Sequence, residues 1–226
     1  MRSRDLFREI GDRAGEGRAL WGLVNTTYYE KDLEQSRTWV DESLAIFRET
    51  DDRFMLAWAL YMKGNIQALE GDRRAMRASM RDALAIFVAN EDLSGYALIL
   101  DAFAVLDYVE GEIGRAMTLA GAANAIQDLS GTSQLAQLNR DWGGFRLEEL
   151  LKDPALAASF EAGRRLPIQE AVAIALNAES TGSGEGVVVR RRLVENPDDP
   201  SGGGGELTAG EDDQRPDDGD DQGRQQ

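Results

Sequence analysis

The residues best placed to do chemistry in this chain are carboxylates, because it contains no histidine and no cysteine. Three close sets stand out: Asp51-Asp52, Glu91-Asp92, and Glu110 with Glu112. Paired carboxylates can divide acid and base roles. These pairs recur at a fixed interval, however, which is where helix-capping turns belong. Without imidazole or thiolate there is no Ser-His-Asp or Cys-His nucleophile, no Cys/His zinc site and no disulfide. A phosphate loop needs Gly-Lys followed by Ser or Thr, and no Gly-Lys pair occurs. The glycine-rich stretch Gly182-Ser183-Gly184-Glu185-Gly186 reads as linker. No loop alternates oxygen ligands towards a terminal glutamate, as a calcium site requires. The expectation is a binding protein rather than an enzyme, with no catalytic residue, metal or cofactor.

Charge narrows the partners. Among 226 residues, 41 acidic side chains face 25 basic ones, a net charge of −16. That field repels phosphate backbones and anionic lipid surfaces, so direct nucleic-acid and membrane binding are not expected. No stretch approaches 18 apolar residues, and the first ten residues lack the apolar core of a secretory signal, which predicts a cytoplasmic protein. Residues 179–226 hold 13 acidic and 5 basic side chains and 10 of the 24 glycines. Such a segment buries too little apolar surface to offset about 1 to 2 kcal/mol of backbone entropy per residue, so a disordered acidic tail is predicted.

The elements emerge from self-similarity. A shift of 40 aligns Leu44-Ala45-Ile46-Phe47 with Leu84-Ala85-Ile86-Phe87 and Asn124-Ala125-Ile126-Gln127. Leu20, Leu60 and Leu100 coincide, as do Glu30, Glu70 and Glu110. Within a unit, small and apolar residues recur at three and four, interrupted at Gly71-Asp72 and its counterparts. This spacing predicts two helices per unit, each with one apolar stripe. A lone hairpin cannot hide its stripe, so three units over 13–132 must stack as an all-α solenoid.

These residues resemble the tetratricopeptide repeat, whose helix pairs approach at small side chains. Its small positions fall on Val24, Gly64 and Ala104, on Ser36, Met76 and Ala116, and on Ser43, Ala83 and Ala123. Val24, Met76, the missing proline after the second helix and a period longer than the usual 34 depart from the pattern. The resemblance implies a right-handed α-α superhelix with a concave face lined by the first helix of each pair. Carried over position by position, that face comprises Arg18, Trp21, Asn25 and Tyr28, then Trp58, Tyr61, Asn65 and Ala68, then Leu98, Asp101, Val105 and Tyr108. Aromatic rings with polar handles suit a peptide or protein partner. The family's carboxylate clamp needs neighbouring cations, and Arg18 alone supplies one.

The same shift aligns Phe7-Arg8-Glu9 with Phe47-Arg48-Glu49, so residues 1–12 read as the second helix of a half repeat, with Leu6, Phe7 and Ile10 at an edge. Residues 133–178 are expected to cap the other end, with helices opening at Asp153-Pro154 and Leu166-Pro167. From Ala116 through Phe160-Glu161-Ala162-Gly163 to Leu176, this ending resembles the C-terminal array of large bacterial regulators, LuxR-type ATPases and cyclase or kinase fusions. That implies a scaffold module belonging to a longer regulator, with an N-terminal NTPase or DNA-binding domain as a partner. Alternatively, the groove senses a small effector for such a transcriptional regulator, or the chain is an inactive remnant.

Overall fold

The computed structural model describes residues 2–130, 140–141 and 143–176. The predicted tail, 179–226, lies outside them, as do parts of the expected cap. The described elements are α-helices: α1 (Arg2–Glu9), α2 (Arg13–Glu30), α3 (Leu33–Glu49), α4 (Arg53–Leu69), α5 (Arg73–Ala89), α6 (Leu93–Glu110) and α7 (Ile113–Ser130), then α8 (Leu147–Leu150), α9 (Pro154–Arg164) and α10 (Ile168–Leu176). None of the described helices is long and apolar enough to cross a membrane.

One junction design repeats from α1 to α7. A residue in the left-handed region ends each helix: Gly11, Lys31, Asp51, Gly71, Glu91 and Gly111 have φ of 75°, 62°, 51°, 81°, 55° and 88°. The next residue opens the following helix. Asp12, Asp32, Asp52, Asp72 and Asp92 each accept, through the side chain, the N–H three residues on, at 2.8 to 3.2 Å. Their own N–H groups return to the carbonyls of Phe7, Thr27, Phe47, Gln67 and Phe87, which satisfies the preceding helix end. Each helix with its joint therefore spans twenty residues, half the period seen in the sequence.

Helices pair as predicted, α2 with α3, α4 with α5 and α6 with α7, and the pairs join through α3–α4 and α5–α6. The all-α solenoid of helical hairpins is the observed architecture. The periodic positions form its core: Leu20, Leu60 and Leu100, then Leu44 and Leu84, then Phe47 and Phe87 are buried. Burying one such side chain contributes about 1.5 to 3 kcal/mol. Ion pairs repeat with the units as well. Arg37 donates to Glu70 at 3.2 Å, and forty residues on Arg77 donates to Glu110 at 2.7 Å.

At the edges, α1 packs on α2, with Arg8 and Arg13 holding the buried Glu16 at 2.7 and 2.6 Å; Leu6 and Ile10 are exposed, while Phe7, expected beside them at the edge, is half-buried. At the other end Asp153 caps α9, accepting from Ala155 at 2.8 Å. Helix α9 lies directly on α7: a Cβ at Gly121 would fall on the Phe160 carbonyl, and one at Gly163 on the Thr118 carbonyl. Glycine is required there by backbone-to-backbone approach. Helix α10 covers α6 and α7 through Ala171, Val172 and Ala175.

Candidate partner-binding groove

The first helices α2 and α4 touch each other as well as their own partners, so residues one helical turn apart on both helices face a common space. Six residues carried over from the tetratricopeptide pattern line one cavity of about 70 Å³: Trp21, Asn25, Tyr28, Trp58, Tyr61 and Asn65. Trp58 anchors its wall, meeting Tyr61 edge-on at 6.1 Å and Phe87 of α5 at 5.3 Å. Tyr28 meets Tyr29 at 5.4 Å. Burial, then the neighbouring phenols Tyr61 and Tyr29, push the Tyr28 hydroxyl well above the ordinary tyrosine range, so it stays protonated.

The two asparagines differ. Asn25 Nδ2 donates to the Trp21 carbonyl at 2.8 Å, bonding within its own helix. Asn65 is 7% exposed, and its amide has no hydrogen-bond partner among the described residues. Tyr28 and Asn65 also border a second cavity, of about 130 Å³, between α4, α5 and α6. Its walls are mostly apolar, with Arg73, Asn65 and Tyr28 as the polar side chains among them, and the expected Ala68 and Val105 are part of them.

Four carried-over residues, Arg18, Leu98, Asp101 and Tyr108, do not join these cavities. Arg18, largely exposed, donates to Asp52 at 2.8 Å, tying one unit to the next. Asp101 is 1% exposed and paired with Arg140 at 2.7 Å. Burial pushes its carboxyl up to about 6 against the pull of Arg140. The Tyr108 ring packs on Phe145 at 5.0 Å. The reason is common to the last two: residues after the third unit, Arg140 and Phe145, return to α6 and cover the face that stays open on α2 and α4. Leu98 is buried too.

A second buried carboxyl, Asp107, lies 3.0 Å from Arg115 and 3.7 Å from Arg77, yet neither of its oxygens receives a well-directed hydrogen bond among the described residues. Burial raises it to about 6, opposed by Arg115 and Arg77. The carboxylate pairs singled out in the sequence sit at the joints. Asp51 and Glu91 have positive φ, Asp52 and Asp92 are caps, and Glu110 takes Arg77. No group of three acidic side chains that could hold a metal occurs among the described residues.

Sequence reasoning missed Arg73 and Met76 of α5 and Leu69 and Val109, which flank the larger cavity. Arg73 and Met76 lie on a second helix, outside the first-helix face that the resemblance implies, while Leu69 and Val109 close first helices α4 and α6 beyond its carried-over positions. Of these, Leu69 and Val109 are exposed apolar residues, a signal readable only once the helix phase is known. Comparison with protein-family models, curated proteins and solved structures finds no match.

Proposed function

We propose that the chain is a non-catalytic, tetratricopeptide-like binding module that holds a peptide or protein segment against α2 and α4, working in the cytoplasm as part of a signalling or transcriptional regulator. The observation that supports this reading is the convergence of Trp21, Asn25, Tyr28, Trp58, Tyr61 and Asn65 on one cavity. Large rings held by their neighbours contribute contact area at little entropic cost. Exposed Tyr29 borders the same cavity, and exposed Phe54 lies 6.4 Å from Trp58, extending the apolar surface.

The test is peptide display against the wild-type protein and against Trp58→Ala, with helix content checked by circular dichroism. Peptides enriched on the wild type should bind with Kd below about 100 μM and lose about tenfold or more on Trp58→Ala. Equal binding by a folded Trp58→Ala protein would remove the groove from the reading. A second reading, effector sensing, is favoured by the second, largely apolar cavity of about 130 Å³.

A further inference from the structure

We propose that the cavity between α4, α5 and α6 binds a small organic acid, with an apolar body of about six carbons inside and a carboxylate at Arg73. The inference rests on the effector reading, and its cavity shares Tyr28 and Asn65 with the peptide groove. Size sets the body: an apolar cavity near 150 Å³ accommodates benzene, and this one is about 130 Å³. Most of its lining is apolar, with Met76, Ala102, Val105, Leu106 and Val109 placed to hold such a body.

Two polar groups fix the rest of the ligand. Arg73 is the one charged side chain among the described residues lining the cavity, and no carboxylate pairs with it there. Its acidic neighbours in sequence are engaged: Asp72 accepts from the Ala75 N–H at 2.9 Å, and Glu70 accepts from Arg37 at 3.2 Å. In a chain of net charge −16, an unmatched guanidinium beside an apolar cavity is the feature that would draw an anion in. Asn65, without a hydrogen bond among the described residues, borders the cavity at Tyr28. Its amide is free to pair with a polar ligand atom.

Phenylacetate is the probe, followed by methyl NMR of the full chain, with phenylacetamide and acetate as controls. Phenylacetate should shift the Met76, Val105 and Val109 methyls saturably. Phenylacetamide and acetate should each bind about tenfold or more weakly, the amide for lack of charge and acetate for lack of a ring. Arg73→Gln, at an exposed position, should abolish the preference for acid over amide while leaving the circular dichroism unchanged. The proposal is overturned by no saturable shift at about 20 mM phenylacetate, by equal affinity for acid and amide, or by shifts that depend on Trp58 and not on Arg73. Peptide binding that survives any of these results leaves the groove standing.

Discussion

Arg140 Nε donates to Asp101 Oδ1 at 2.7 Å, joining residues 39 apart in sequence with both side chains buried. A charge left alone in such a place is costly. Removing one partner of a buried pair typically destabilises by about 3 to 5 kcal/mol, whereas apolar replacement of both can be neutral. Asp101→Ala should therefore unfold in clearly less urea than the wild type, and Asp101→Leu with Arg140→Met should recover most of the loss. A double variant no better than the single one would show that the pair acts through something other than its charge.

Acidification should first stabilise the protein and then destabilise it. Asp101 and Asp107 have folded-state values raised to about 6, so their contribution is complete below the unfolded carboxyl value and is lost as pH rises through about 6. Glu16 moves the other way. Burial raises it, but hydrogen bonds from Arg8 and Arg13 outweigh that and leave it lowered, so its contribution disappears as pH falls through its folded value. Thermal melts should give a higher Tm at about pH 5.5 than at about pH 7.5, with a decline below about pH 4. Asp107→Asn should flatten the upper part of the profile, and an unchanged slope in that variant would remove Asp107 as a cause.

The same substitution should have opposite signs at two glycines. At Gly163 a methyl group would strike the Thr118 carbonyl, while at Gly22, inside α2, nothing lies within 4 Å of it. Gly163→Ala should cost about 1 to 3 kcal/mol or more by prising α9 from α7. Gly22→Ala should gain about 0.5 to 1 kcal/mol from backbone entropy and helix propensity. Denaturant midpoints measure both; destabilisation by Gly22→Ala would mean that its surroundings are tighter than described.

Non-glycine joints carry removable strain. Lys31, Asp51 and Glu91 hold positive φ where Gly11, Gly71 and Gly111 do so freely. A left-handed backbone costs an ordinary residue about 1 to 2 kcal/mol, so Asp51→Gly should raise Tm. Gly71→Ala should lower it. Both are read by differential scanning calorimetry, and a Tm drop in Asp51→Gly would point to a role for that carboxylate beyond the turn.

The hairpins were legible in the sequence because Leu20, Leu60, Leu100, Phe47 and Phe87 are both periodic and buried, so a pattern in the chain maps directly onto burial. The twenty-residue step stands in the sequence at Asp12, Asp32, Asp52, Asp72 and Asp92, but the forty-residue match overshadowed it, since the left-handed positions before them share a backbone angle and not a residue type. The aromatic cavity followed from helix register at Trp58 and Tyr61. Asp101 and Tyr108 did not, because what covers them comes from Arg140 and Phe145, outside any repeat. Arg73 carried no signal, since an arginine in the first turn of a helix resembles any solvated one until its acidic neighbours are seen to be engaged elsewhere.

Uniform joints have a consequence for how such a protein can change. Splicing a further copy of residues 53–92 after residue 92 keeps every downstream face in phase, since each copy brings its own left-handed residue and capping aspartate. The reach of the open surface then depends on copy number, and duplication alone can alter what it grips. Helicity per residue that fell on adding such a cassette would show that the phase is not carried by the joints.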